Sequence, residues 1–214
     1  MIWETLDECW KEVFRLSWES YKNGTIPVGA VILDENKDIV AKGRNVSYDK
    51  KSEHILAGTT MGHAEMVALM QLKKTEHPNI KKYRLYVSLE PCPMCFGAVM
   101  MSGIKDVYFA ASDVAAGSSV MQDITEYIES RSMKVVKDTG NLEIFQIVLQ
   151  TARGKFNPTK KIIESWTREH PGVVQLGAQL HDEKYFDTVA KTNIDISEIY
   201  NYVIKRFNEQ GDKI

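Results

Sequence analysis

The 214-residue sequence predicts an α/β layer fold. Three observations carry that prediction. Runs rich in β-branched residues alternate with segments of helical periodicity, the first two runs are joined by a short polar turn, and helix starts follow directly on apolar runs. With 43% hydrophobic and 26% charged residues, the composition is that of an ordinary globular protein, long enough for one domain with an extension.

Leu6, Trp10, Val13, Phe14, Trp18 and Tyr21 fall at near-helical spacing between Thr5 and Asn23, and Asn23-Gly24 supplies a stop. The early tryptophans are read as core or interface packing. The stretch Ile26-Pro27-Val28-Gly29-Ala30-Val31-Ile32-Leu33, the polar turn 34–38 and Ile39 to Asn45 form a predicted hairpin. Pro27 is tolerated at a strand start, and Gly29 marks either a close approach by a flat ring or tight packing. Val46 to Met61 is polar and long for a connection, a candidate substrate lid. His54 within it reads as a surface histidine.

A helix is expected from His63 through Lys74, a strand over Tyr83–Ser88, a second helix from Cys92 through Met101 and a strand over Asp106–Ala110. Val120 to Ser130 reads as helical, Met133–Val136 as a short fifth strand and Glu143 to Arg153 as a helix. Beyond Lys155 the composition shifts. Asn157-Pro158 opens a helix ending near His170-Pro171-Gly172, and Ile196 to Phe207 reads as the last helix. The expected division is a domain over 1–155 and a helical extension over 156–214.

Two short stretches carry the chemistry: Gly62-His63-Ala64-Glu65 and Glu90-Pro91-Cys92-Pro93-Met94-Cys95. One imidazole and two thiolates are three of the four ligands of a tetrahedral zinc ion, which leaves a position open as in catalytic sites. Glu65, two residues after His63, lies near the metal without having to bind it, where a carboxylate can move a proton. His63 and Cys92 both fall at helix N-termini, where the dipole favours negative charge and lowers a thiol's pKa. Taken singly, Cys-x-x-Cys is also a redox pair and His-x-Glu is common on helices. Their conjunction favours zinc.

With these residues placed, the sequence resembles the cytidine deaminase superfamily, whose signature is His-x-Glu followed by Pro-Cys-x-x-Cys. It resembles most the branch of the tRNA adenosine deaminases and guanine deaminases. Ile26 to Val31, Gly43-Arg44-Asn45 and Ala111-Ser112-Asp113 also match, so that the resemblance covers about residues 5–155. It implies a three-layer α/β/α fold with a five-stranded mixed sheet, and hydrolytic deamination with release of ammonia. His63, Cys92 and Cys95 are then expected to bind Zn2+. Glu65 is expected to move protons between water, ring nitrogen and leaving amine, and the Ala64 and Cys92 backbone N–H groups to face the developing tetrahedral centre. Asn45 corresponds to an asparagine that hydrogen-bonds the base, Val28 to the floor of its pocket, and Asp113 to the substrate rim.

The sequence departs from the tRNA enzymes in a longer Val46–Gly62 connection, a shorter loop after Asp113 and a mixed-charge extension where they carry a basic tail. The formal net charge is −2, without a global basic field for nucleic acid. The expected partner is therefore a small amino-heterocycle, with tRNA the less favoured alternative. The family's habit suggests a homodimer, to which the aromatic first helix could contribute. A third reading, zinc as a structural element only, requires Glu65 to be dispensable. Met1-Ile2-Trp3-Glu4 lacks the pattern of a secretory signal, and no run reaches the ~20 apolar residues of a membrane span. Cys9 alone lies outside the motif among three cysteines, which fits a reducing cytoplasm.

Overall fold

The structure is a computed structural model and describes residues 2–154 and 160–211. After a 3-10 turn at Trp3–Thr5, α1 (Glu8–Lys22) leads into β1 (Gly29–Leu33) and β2 (Ile39–Arg44). Then come α2 (Ala64–Leu69), β3 (Arg84–Leu89), α3 (Pro93–Ser102), β4 (Asp106–Ala111), α4 (Glu126–Ser130), β5 (Lys134–Lys137) and α5 (Asn141–Ala152). The C-terminal part adds α6 (Lys160–Glu169), α7 (Pro171–Asp182), α8 (Tyr185–Val189) and α9 (Ile196–Glu209). Residues 157–158, expected to open a helix, lie outside the described residues.

The five strands form one mixed sheet in the order β2-β1-β3-β4-β5. β1 is antiparallel to β2 and β3, whereas β3, β4 and β5 are parallel. Every residue of β1 is buried, as expected of a central strand covered on both faces. α1 and α5 pack on one face, where Phe14 meets Phe145 edge-on at 5.1 Å, and α2 and α3 contact each other on the other. This is the three-layer arrangement that the resemblance implied.

Two glycines set the closeness of the layers. A Cβ at Gly29 would overlap the Val13 carbonyl oxygen of α1, and one at Gly43 would overlap the Ala64 oxygen and Ala68 nitrogen of α2. Gly29 thus serves helix packing, not a ring's approach. Trp3, Trp10 and Trp18 are buried within the chain, so the aromatic face of α1 is turned to this core and away from any partner. The polar side of the C-terminal part is tied in as well: Asn201 of α9 accepts from the Trp3 N–H at 2.8 Å, and Tyr200 packs on Phe145 at 4.9 Å.

Two expected elements differ. α2 ends at Leu69 because i→i+3 bonds from Gln71 and Leu72 tighten the chain, while the Gln71 amide takes up the Val67 carbonyl at 2.9 Å. The helix expected over Val120–Ser130 is broken into a 3-10 turn and α4, with Thr125 extended and its hydroxyl capping Ile128 N–H. Val120 and Ile124 are exposed, so no apolar face holds a longer helix together. The helix expected to end near His170-Pro171-Gly172 does end at Glu169, and Pro171 then stands in the first turn of α7, where its missing N–H costs nothing.

Candidate active site

The site lies outside the carboxyl ends of parallel β3 and β4, the position at which open α/β sheets bind ligands. Two short connections meet there. Glu90 N–H donates to Ala111 O at 2.8 Å, and Ser118 N–H to Pro91 O at 3.1 Å. His63 caps α2 and Cys92 caps α3, both in extended backbone, with Pro93 preorganising the first turn after Cys92. Their carbonyls accept the first helical bonds, from Val67 at 3.0 Å and Phe96 at 2.8 Å. The caps therefore aim an imidazole and a thiol at one point, and Cys95, one turn into α3, joins them.

His63 Nδ1 stands 3.6 Å from Cys92 Sγ and 3.4 Å from Cys95 Sγ. Donors around a tetrahedral ion with bonds of ~2.0–2.3 Å lie roughly 3.3–3.8 Å apart, so this set fits zinc without rearrangement. Among the described residues it is the one such group of His, Cys, Asp and Glu side chains. The hydrogen bond from Cys95, with a further one from His63, outweighs burial and pulls the Cys92 thiol down to about 4, the thiolate form that metal binding needs. His54 is not a ligand; its Nδ1 accepts from Leu56 N–H at 3.2 Å.

Beside the three ligands is a cavity of about 140 Å³ whose walls include Val28, Asn45, His63, Glu65, Cys92 and Asp113. The expected site residues, drawn from four separate connections, are thus brought to one place. Glu65 is 4% exposed, and burial pushes its carboxyl up to about 7, close to the pKa an acid–base group needs near neutral pH. Ala64 and Cys92 sit at helix N-termini, where N–H groups have no intrahelical acceptor. The Asn45 side chain is held by its oxygen, which accepts from Thr25 Oγ1 and from Ser47 N–H. That orientation leaves its NH2 group as the end available to the cavity. Val28 presents its side chain while its carbonyl takes up Asn45 N–H at 2.9 Å. Burial raises the Asp113 carboxyl above the ordinary carboxylate range, and its Oδ1 accepts from the Ala115 and Ala116 amides.

Several contributors had no assigned role in the sequence reading. Glu90 accepts from Asp113 N–H, Ser119 N–H and Ser119 Oγ, and so fixes the loop that carries Asp113. Ile26, Gln150 of α5 and Ile162 of α6 complete the walls. Conversely, no described residue of the 46–62 connection lines this cavity, contrary to the expected lid. It folds instead as turns braced by the Arg44–Asp49 ion pair and by Val46 N–H to Gly62 O at 2.7 Å. The outer wall comes from α6.

The family of the cytidine and deoxycytidylate deaminase zinc-binding region matches residues 4–111. The chain belongs to this family. The matched region contains the His63, Cys92 and Cys95 group just described, which is positioned to hold a metal ion. Among curated deaminase relatives, the tRNA-specific adenosine deaminase of Haemophilus influenzae is 42% identical over 100 residues, 44% of this chain and 51% of that protein. The tRNA-specific adenosine deaminase of Bacillus subtilis is 33% identical over 117 residues, 54% of this chain and 68% of that protein. The chain thus spans about half the length of the H. influenzae relative. Among solved structures, a tRNA:A34 deaminase superposes with a TM-score of 0.51 at 20% identity, covering 61% of this chain and 96% of that one. The guanine deaminase from Nitrosomonas europaea gives 0.51 at 22% identity, covering 68% and 82%. Both are likenesses of fold. Among the described residues, no helix is long and apolar enough to cross a membrane.

Proposed function

We propose that this protein is a zinc-dependent hydrolytic deaminase that replaces an exocyclic amine by oxygen on a small nucleobase, nucleoside or related amino-heterocycle. Water is consumed and ammonia released. The observation that carries the reading is the placing of buried Glu65 beside the His63, Cys92 and Cys95 group in one small cavity walled by Ile162 of α6. At about 140 Å³ it is below the ~300–1,000 Å³ of pockets for drug-sized ligands, and suits a single heterocycle.

His63, Cys92 and Cys95 would hold the ion, which when bound supplies a Lewis acid that makes water nucleophilic near neutral pH. Glu65 takes one proton from the attacking water and passes it to the ring nitrogen, then takes the second proton from the hydroxyl on the tetrahedral carbon and delivers it to the departing amine, which leaves as ammonia. The Ala64 and Cys92 N–H groups stabilise charge on the developing tetrahedral carbon's oxygen. Asn45 orients the ring through its NH2 group, Val28 supplies an apolar floor, and Asp113 closes the rim. The same proposal takes 1–155 as the catalytic domain, 156–214 as its helical extension and the cytoplasm as its setting. It includes a homodimer, since Met101, Val120, Ile124 and Tyr127 expose apolar surface that a second copy would cover. Sedimentation that finds only monomer at all concentrations would remove that part.

A second reading is a tRNA adenosine deaminase acting at the wobble position, favoured by the 42% identity to the H. influenzae enzyme. Ammonia release from cytosine, adenine, guanine, their nucleosides and an adenosine-containing anticodon stem-loop separates the two. Turnover of a base or nucleoside supports the small-substrate reading. Turnover of the stem-loop alone, with binding that weakens steeply in salt, replaces it with the second.

A further inference from the structure

Gln150 lies on the last turn of α5 and is 2% exposed, yet it lines the cavity next to the metal group. A carboxamide so deeply buried needs partners at both ends. Its oxygen has one: Oε1 accepts from Gln146 Nε2 at 3.1 Å. Gln146 is itself anchored, donating from the same nitrogen to the Pro27 carbonyl at 3.0 Å. The chain Pro27 O, Gln146, Gln150 therefore fixes which way the Gln150 amide points. Among the described residues none hydrogen-bonds its NH2 group, and the cavity is the space left for a partner.

We propose that Gln150 is a specificity-determining residue that donates a hydrogen bond from Nε2 to an acceptor on the substrate ring, a ring nitrogen or a carbonyl oxygen. This rests on the reading of the cavity as the substrate pocket. The reacting carbon must face His63, Cys92 and Glu65, so the acceptor met by Gln150 belongs to an edge other than the one bearing the amine. Asn45 is held by its oxygen in the same manner, by Thr25 and Ser47. The pocket thus presents two oriented amide donors, one from the β2 end and one from α5. A heterocycle lacking either acceptor would leave a buried donor unpaired, which is how polar pockets reject near-isosteres.

The test uses the zinc-loaded protein and the best-turned-over member of the panel of cytosine, adenine, guanine and their nucleosides. Gln150→Met keeps the length of the side chain and removes the donor. KM is expected to rise about ten- to hundredfold, with kcat within about threefold and zinc content unchanged. Gln150→Glu keeps an oxygen for Gln146 but turns a second oxygen toward the substrate's acceptor, and the same rise in KM is expected. It also carries the test where the Met variant fails to fold. A purely structural Gln150 would lower the melting temperature in the Met variant and leave KM within about twofold in both, which overturns the inference. A wild-type protein that turns over no base or nucleoside in the panel overturns the pocket reading itself, and this inference with it.

Discussion

The indole Nε1 of Trp166 donates to the carbonyl oxygen of Ser112 at 2.9 Å. Trp166 is fully buried on α6, and Ser112 is the residue between β4 and Asp113. The C-terminal part is thereby fastened to the rim of the cavity that its own Ile162 helps to wall. Trp166→Phe removes the donor and part of the ring, and is expected to cost about 1–3 kcal/mol. At this size that is ~2–4 °C of melting temperature per kcal/mol. Substrate KM is expected to rise severalfold as the rim loosens. Calorimetry and steady-state kinetics on the variant check both, and an unchanged KM would detach α6 from substrate binding.

Metal held by the native fold adds its binding free energy to stability, by about 4 kcal/mol when free zinc is ~1,000 times Kd. Chelation is therefore expected to lower the melting temperature, and zinc addition to restore it. Cys95→Ser should bind zinc substoichiometrically and melt low whether or not zinc is added. An unchanged melt after metal removal verified by elemental analysis would contradict this.

Thr25 acts on the substrate through Asn45. Thr25→Val keeps the shape and deletes the hydroxyl that donates to Asn45 Oδ1. Because Ser47 N–H still holds that oxygen at 3.0 Å, the fold should lose only about 1 kcal/mol. KM is expected to rise about tenfold with kcat little changed, and Asn45→Ala to exceed it. Equal kinetics for Thr25→Val and wild type would show that Asn45 needs no such support.

How far the sequence reveals this molecule depends on how local each determinant is. His63, Cys92 and Cys95 were readable because helix caps convert short sequence spacings into ligand geometry, and few other uses demand that set of side chains. The strands were readable because β-branched runs had nowhere to go but a covered sheet. Gln150 and Ile162 carry no local signal; they reach the site only because α5 and α6 converge there, while Glu90 stands in the Cys92 stretch and takes its role from the 113–119 loop that folds onto it. The 46–62 connection misled for the converse reason. Its polarity suggested a lid, whereas Asp49 spends its carboxylate on Arg44 and on the Lys51 and Ser52 amides.

That carboxylate gives a pH dependence. Burial would raise the Asp49 carboxyl, but the Arg44 guanidinium and the two amides overcome it and hold it below its ordinary range. A group lowered in the folded state stabilises at pH above its unfolded value of ~3.9 and loses that contribution as pH falls through the folded value. Stability should therefore decline below about pH 4. Asp49→Asn should melt lower than wild type at pH 7 and show a shallower acid decline. Parallel melting curves from pH 7 to 3 for the two proteins would refute the assignment.

The most direct test of the whole account is ammonia release by the zinc-loaded protein and by Glu65→Gln across the panel of bases, nucleosides and stem-loop. Zinc content, measured in both, should be equal, since Glu65 is not a ligand. The account predicts turnover of at least one small heterocycle, and a loss of about a thousandfold or more in kcat for Glu65→Gln, as expected when an acid–base group serving several proton transfers is removed. Full activity in the zinc-replete variant would contradict it, because the Glu65 carboxylate would then not be needed to move the proton.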